Sequence, residues 1–82
     1  MILPTKHIMF SESLLGLGAV LVSLLPASTK VETLWDSFQK INQSDLLPAY
    51  HTFENFIAAL DFLYLSGAIT YSTTGELVRE TA

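Results

Sequence analysis

Apolar positions along this chain fall into four stretches, each with its own spacing. Leu14–Leu25 is almost wholly apolar and predicts a helix over 11–25. Ser11 or Ser13 can cap it, Glu12 suits its positive dipole end, and Pro26 stops it. At about 100° per residue, Leu14, Leu21 and Leu25 centre its apolar face. Leu15 and Val22 flank one side, Leu17 and Leu24 the other, and Gly16 and Ser23 lie opposite. A helix this apolar is surrounded on most sides. Gly16 and Gly18 each cost about 1 kcal/mol of helix propensity against Ala, a cost that close approach of another backbone would offset.

The second stretch, Val31, Leu34, Trp35, Phe38 and Ile41, follows i, i+3, i+4, i+7, i+10, an amphipathic stripe that places Trp35 in the core. Thr29 and Glu32 have capping-box spacing at its start, and Asp36 and Lys40 are spaced for an i, i+4 pair on its wet face. The third stretch predicts a helix over 52–67, capped by Thr52 with Glu54 in the first turn and closed by a left-handed Gly67. Phe53, Phe56, Ile57, Leu60, Leu63 and Tyr64 form its core face; Ala58, Phe62 and Leu65 lie roughly opposite. The fourth predicts strands over 68–72 and 76–79 around the turn Thr73-Thr74-Gly75. The connection from Asn42 to His51 is long for a helix-turn-helix and predicts a single helical turn holding Leu46, Leu47 and Tyr50.

These elements define a fold that is mainly α with a small β-hairpin. It is winged-helix-like: three helices plus a C-terminal hairpin, over 11–82, preceded by an extended N-terminal arm over 1–10. Pro4 biases Leu3 toward an extended conformation, and the arm can add a strand to the hairpin or lie on a partner.

Charge separates this fold from its usual task. The third helix carries Glu54 and Asp61 and no Lys or Arg, and the hairpin offers only Arg79. Reading DNA requires cations that displace counterions from phosphates, so specific nucleic-acid binding is not expected. The net charge of −4 agrees with this. Half of the residues are hydrophobic and the mean hydropathy is +0.43, more apolar material than one small core hides. The surplus predicts a subunit that completes its burial against another chain. The candidate interface is Ile2, Leu3, Ile8 and Phe10 of the arm with Ala58, Phe62 and Leu65 of the third helix.

Leu14–Leu25 spans 12 residues, against about 20 for a membrane crossing, and therefore reads as a buried core helix. It does not read as a signal peptide either: Lys6 lies well upstream, Glu12 abuts the apolar run, and no small-x-small site follows Pro26. There are no cysteines, which excludes disulfides and thiolate metal sites and fits a cytoplasmic setting. His7 and His51 lack metal-ligand spacing, and Gly16 and Gly18 lack the Lys and Ser/Thr of a phosphate-binding loop. No serine sits in a nucleophile elbow, and His51 beside Glu54 reads as a capping contact. No enzyme activity, metal or cofactor is expected.

Three segments carry a resemblance over nearly the whole chain: Ile2-Leu3-Pro4-Thr5-Lys6-His7-Ile8, Leu14-Leu15-Gly16-Leu17-Gly18-Ala19 and Ala59-Leu60-Asp61-Phe62-Leu63-Tyr64-Leu65-Ser66-Gly67-Ala68-Ile69. In order and spacing they resemble small middle components of bacterial ABC-three-component systems, kin to Lamassu-type anti-phage defence operons. The resemblance implies a non-catalytic adaptor in a hetero-oligomer. It would bridge an SMC- or RecN-like ATPase, which senses foreign DNA, and an effector, often a nuclease, that is held in check and then released. The alternatives are a small winged-helix transcription regulator and an antitoxin-like neutraliser.

Overall fold

The apolar run from Leu14 folds into the central helix of the domain. The computed structural model describes residues 3–44 and 51–80, with side chains described from Leu14 onward. Its elements are α1 (Leu3–Leu24), β1 (Ser28–Thr29), α2 (Val31–Asn42), α3 (Phe53–Ser66), β2 (Ile69–Tyr71) and β3 (Leu77–Arg79). Three helices with an antiparallel hairpin make the mainly helical architecture that the spacing predicts.

The extended arm is a correction. Residues 3–10 are helical and continuous with the apolar run, so α1 starts at Leu3 rather than near Ser11. Pro4 falls in the first helical turn, where a missing N–H costs no intrahelical bond. No glycine interrupts the chain between Pro4 and Leu15, and propagating an existing helix is far cheaper than nucleating one. Met1 and Ile2, and the helical turn expected within the α2–α3 connection at 45–50, lie outside the described residues.

The start of α2 is a second correction. Ser28 and Thr29 leave the helix and pair with the hairpin, Ser28 opposite Val78 and Thr29 opposite Leu77. The Arg79 N–H also donates to Ala27 O at 3.1 Å. Lys30 becomes the N-cap with no side-chain hydrogen bond, so the Thr29–Glu32 capping box does not form. Strand pairing satisfies backbone groups outright, whereas a capping box is worth about 1 kcal/mol. Strand β3 pairs on its other edge with β2, Ile69 opposite Arg79 and Tyr71 opposite Leu77, giving the antiparallel order β1-β3-β2. Among the described residues no ion pair closes, and Asp36 and Lys40 both remain in solvent. A surface pair gains too little to hold two flexible side chains together.

The core joins all these elements: Leu17, Leu21 and Leu25 from α1, Leu34 and Phe38 from α2, Phe56, Ala59, Leu60 and Leu63 from α3, and Ile69 and Leu77 from the sheet. Leu21 and Phe38 have no exposed surface. Trp35 packs at the margin of this core. Its ring meets Phe56 at 4.9 Å and Phe53 edge-on at 5.0 Å between centroids. Gly16 departs from expectation, because a Cβ there would meet nothing within 4 Å. A Cβ at Gly18 would meet α3 side chains, Leu63 Cδ2 at 3.4 Å and Phe62 Cδ2 at 3.8 Å, rather than another backbone.

Candidate interaction face

Helix α3 is defined at both ends by local chemistry. Thr52 Oγ1 accepts from the Asn55 N–H at 3.2 Å, satisfying one of the free donors of the first turn. At the other end Gly67 takes φ +87°, which lets its N–H reach Tyr64 O at 3.1 Å and the Ala68 N–H reach Leu63 O at 2.9 Å. The entry to the helix is held from behind by Asn42. Its Nδ2 donates to His51 O at 2.8 Å, and its Oδ1 accepts from the His51 N–H at 2.8 Å. This reciprocal clamp ties the end of α2 to the start of α3. It also turns the buried His51 ring against Phe38, with centroids 6.3 Å apart.

Between these anchors the helix is rotated relative to the periodicity estimate. The buried stripe is Phe56, Ala59, Leu60 and Leu63, while Phe53 and Tyr64, assigned to the core face, are exposed. The shift is about half of one residue's 100° step. It brings Ala59 inward, where a small side chain lets the helix sit close to its neighbours. It turns Tyr64 outward against Tyr71 of β2, with ring centroids 5.4 Å apart.

The outward face carries the candidate residues. Leu65 is 83% exposed, Phe62 is 38% exposed and Ala58 is half-buried. The three follow i, i+4, i+7 and form one stripe. Phe62 lies beside Gly18 of α1, its Cδ2 3.8 Å from where a Cβ there would stand, so the stripe borders α1 at Phe62. Leu3, Ile8 and Phe10 are on the backbone of α1 but their side chains are not described, and Ile2 lies outside the described residues. The structure therefore groups the α3 candidates and leaves the N-terminal ones unplaced against them.

Periodicity missed four further exposed apolar or aromatic residues: Leu15 of α1, Phe53 and Tyr64 of α3, and Tyr71 of β2. Asp61 sits within the outward face, between Tyr64 and Leu65 on the helical wheel. The Tyr71 phenol is pushed above its ordinary value of 10.0, first by burial, then by the charge of Asp61, then by Tyr64.

Away from this face the chemistry is sparse. A shallow cleft between the start of α2 and the hairpin turn is lined by Lys30, Glu32 and Glu76 with Val31, Thr74 and Gly75. The Ser72 side chain holds that turn, accepting from the Glu76 N–H at 3.1 Å and the Thr74 N–H at 3.3 Å. Among the described residues no three acidic or histidine side chains gather in a metal-binding group. Nor is any helix of the described residues long and apolar enough to cross a membrane.

Comparison with known proteins adds one finding. The family model described as ABC-three component (ABC-3C) system Middle Component 6 matches residues 3–80. No curated protein and no solved structure matches the chain.

Proposed function

Because the chain belongs to the middle component 6 family of ABC-three-component systems, we propose that it is a non-catalytic adaptor. It would bridge an SMC- or RecN-like ATPase and an effector, often a nuclease, in a Lamassu-like anti-phage defence complex in the cytoplasm. Membership makes it one component of a multi-subunit system, and the observation that carries the finer reading is the outward face of α3. In a winged-helix reading, that helix corresponds to the one such proteins present to DNA. The winged-helix-like reading is supported by β1, which lies between α1 and α2 and joins the hairpin edge. In place of cations the helix presents Leu65, Phe62 and Ala58 with Asp61 and Glu54. Such a face would repel phosphates and lose free energy in water, whereas another protein would bury it at about 25 cal/mol per Å² of apolar surface.

The decisive experiment is expression of the native operon with a tag on this chain. Under the adaptor reading, the ATPase and the effector elute together with it at stoichiometric ratios. A soluble homodimer that binds an operator and leaves the neighbouring gene products behind would establish the transcription regulator instead. A pairwise complex with the effector alone would establish the neutraliser.

A further inference from the structure

We infer that Asp61, Tyr64 and Tyr71 form an acidic aromatic platform that receives an arginine side chain of the partner subunit. The inference rests on the adaptor reading and names the chemistry of the contact. Three observations converge on it. Tyr64 and Tyr71 come from different elements, yet their rings meet at 5.4 Å with an interplanar angle of 46°. Tyr64 is 50% and Tyr71 40% exposed. Asp61 is exposed and lies one turn before Tyr64 on the same side of α3, and its charge adds to the upward push on the Tyr71 phenol.

Among the described residues no Lys or Arg closes an ion pair with Asp61. Arg79, the one cation of the hairpin, pairs with Ile69 and so shares the sheet face of Tyr71 on the diagonal, but among the described residues it closes no ion pair. Glu54 lies on the same face of α3 two turns earlier, and no basic residue interrupts it. The face is therefore anionic and aromatic, and its complement is cationic. A guanidinium fits better than an ammonium, because its plane lies flat on a tyrosine ring while its N–H fork bonds a carboxylate. Leu65, one turn on from Asp61, supplies apolar cover for the stem of such a side chain. Tyr and Arg are also the residue types over-represented where interfaces concentrate their binding energy.

Two measurements decide the matter. The first uses the isolated full chain and N-acetyl-arginine-amide as probe, read by the ring resonances of Tyr64 and Tyr71. Saturable shifts are expected, absent with N-acetyl-glycine-amide and lost in Asp61→Asn. No shift in either ring, or an equal response to the lysine analogue, overturns the guanidinium assignment. The second uses the complex purified from the operon. Asp61→Lys should weaken association by about tenfold or more, and Asp61→Asn should weaken it less and flatten its salt dependence. Tyr71→Phe keeps the ring and should bind within about twofold of wild type, whereas Tyr64→Ala should not. Wild-type assembly together with unchanged affinity and salt slope in both Asp61 variants would overturn the platform and leave the adaptor reading standing. Absence of any wild-type complex would sink the adaptor reading, and the probe titration then still decides whether the platform binds a guanidinium.

Discussion

Leu65 is the residue on which the interface reading is most exposed to test. Its side chain is 83% accessible, so replacing it removes almost no intramolecular contact. Leu65→Glu should leave the helical signal and the melting temperature unchanged and should abolish co-purification with the partner subunits. Phe62 gives the contrasting case. It is only 38% exposed and lies beside Gly18 of α1, so Phe62→Glu should also cost about 1–2 kcal/mol of stability as that cover is lost. If Leu65→Glu assembles normally, α3 does not present the binding face. Tyr71 supplies a pH test. The fold favours its neutral phenol, through burial first and Asp61 second. Its contribution to stability is therefore complete below pH 10.0, the ordinary value, and is lost as pH rises through the higher folded value. Chemical unfolding measured across the alkaline range should show this decline in the wild type. It should be flattened in Tyr71→Phe; an unaltered slope would show that Tyr71 is not its source.

At the scale of elements, the Asn42 clamp and the two unusual glycines are separable. Asn42→Ala would leave the N–H and C=O of His51 without partners in a buried setting. Each lost partner costs about 1–3 kcal/mol, so urea unfolding should register a loss of about 2–4 kcal/mol. A loss below about 0.5 kcal/mol would mean that water replaces the clamp without cost. Gly16→Ala should act in the opposite direction. A Cβ there meets nothing, and the helix gains about 1 kcal/mol of propensity, which in a domain of this size raises the melting temperature by about 4–8 °C. A destabilised Gly16→Ala variant would show that this side of α1 is covered in the isolated chain. Gly67 is the control: its φ of +87° penalises any side chain, so Gly67→Ala should destabilise.

Across the whole molecule, the distribution of charge argues against reading DNA. The net charge is −4, and α3 carries two acids and no base. A filter-binding or fluorescence assay on the isolated chain should find only weak association that vanishes as salt rises toward physiological strength. A sequence-specific complex that survives those conditions would reverse the assignment of function. Family membership places the chain in a multi-component system. The apolar stripe and the proposed acidic aromatic platform then lie on adjoining parts of α3 and β2, which is economical for a chain of 82 residues.

Element types were legible from spacing alone, because apolar periodicity, Thr52 at one helix end and Gly67 at the other are local physics that any tertiary setting must respect. The stripe of Leu34 and Phe38 in α2 and the outward placement of Phe62 and Leu65 were legible for the same reason. What spacing could not decide was competition between local options. Thr29 had a capping partner three residues away, but β3 offered backbone pairing from a segment some fifty residues distant, and the strand won. Pro4 is compatible with either an extended arm or a first helical turn, and continuity with the apolar run selected the helix. The exact rotation of α3 depended on how closely α1 and α2 approach it, which turned Ala59 inward and Tyr64 outward onto Tyr71. The Asn42 clamp and the Tyr64–Tyr71 junction join residues with no periodic relation. Only folding places such groups within hydrogen-bond or ring contact, so they belong to the tertiary structure.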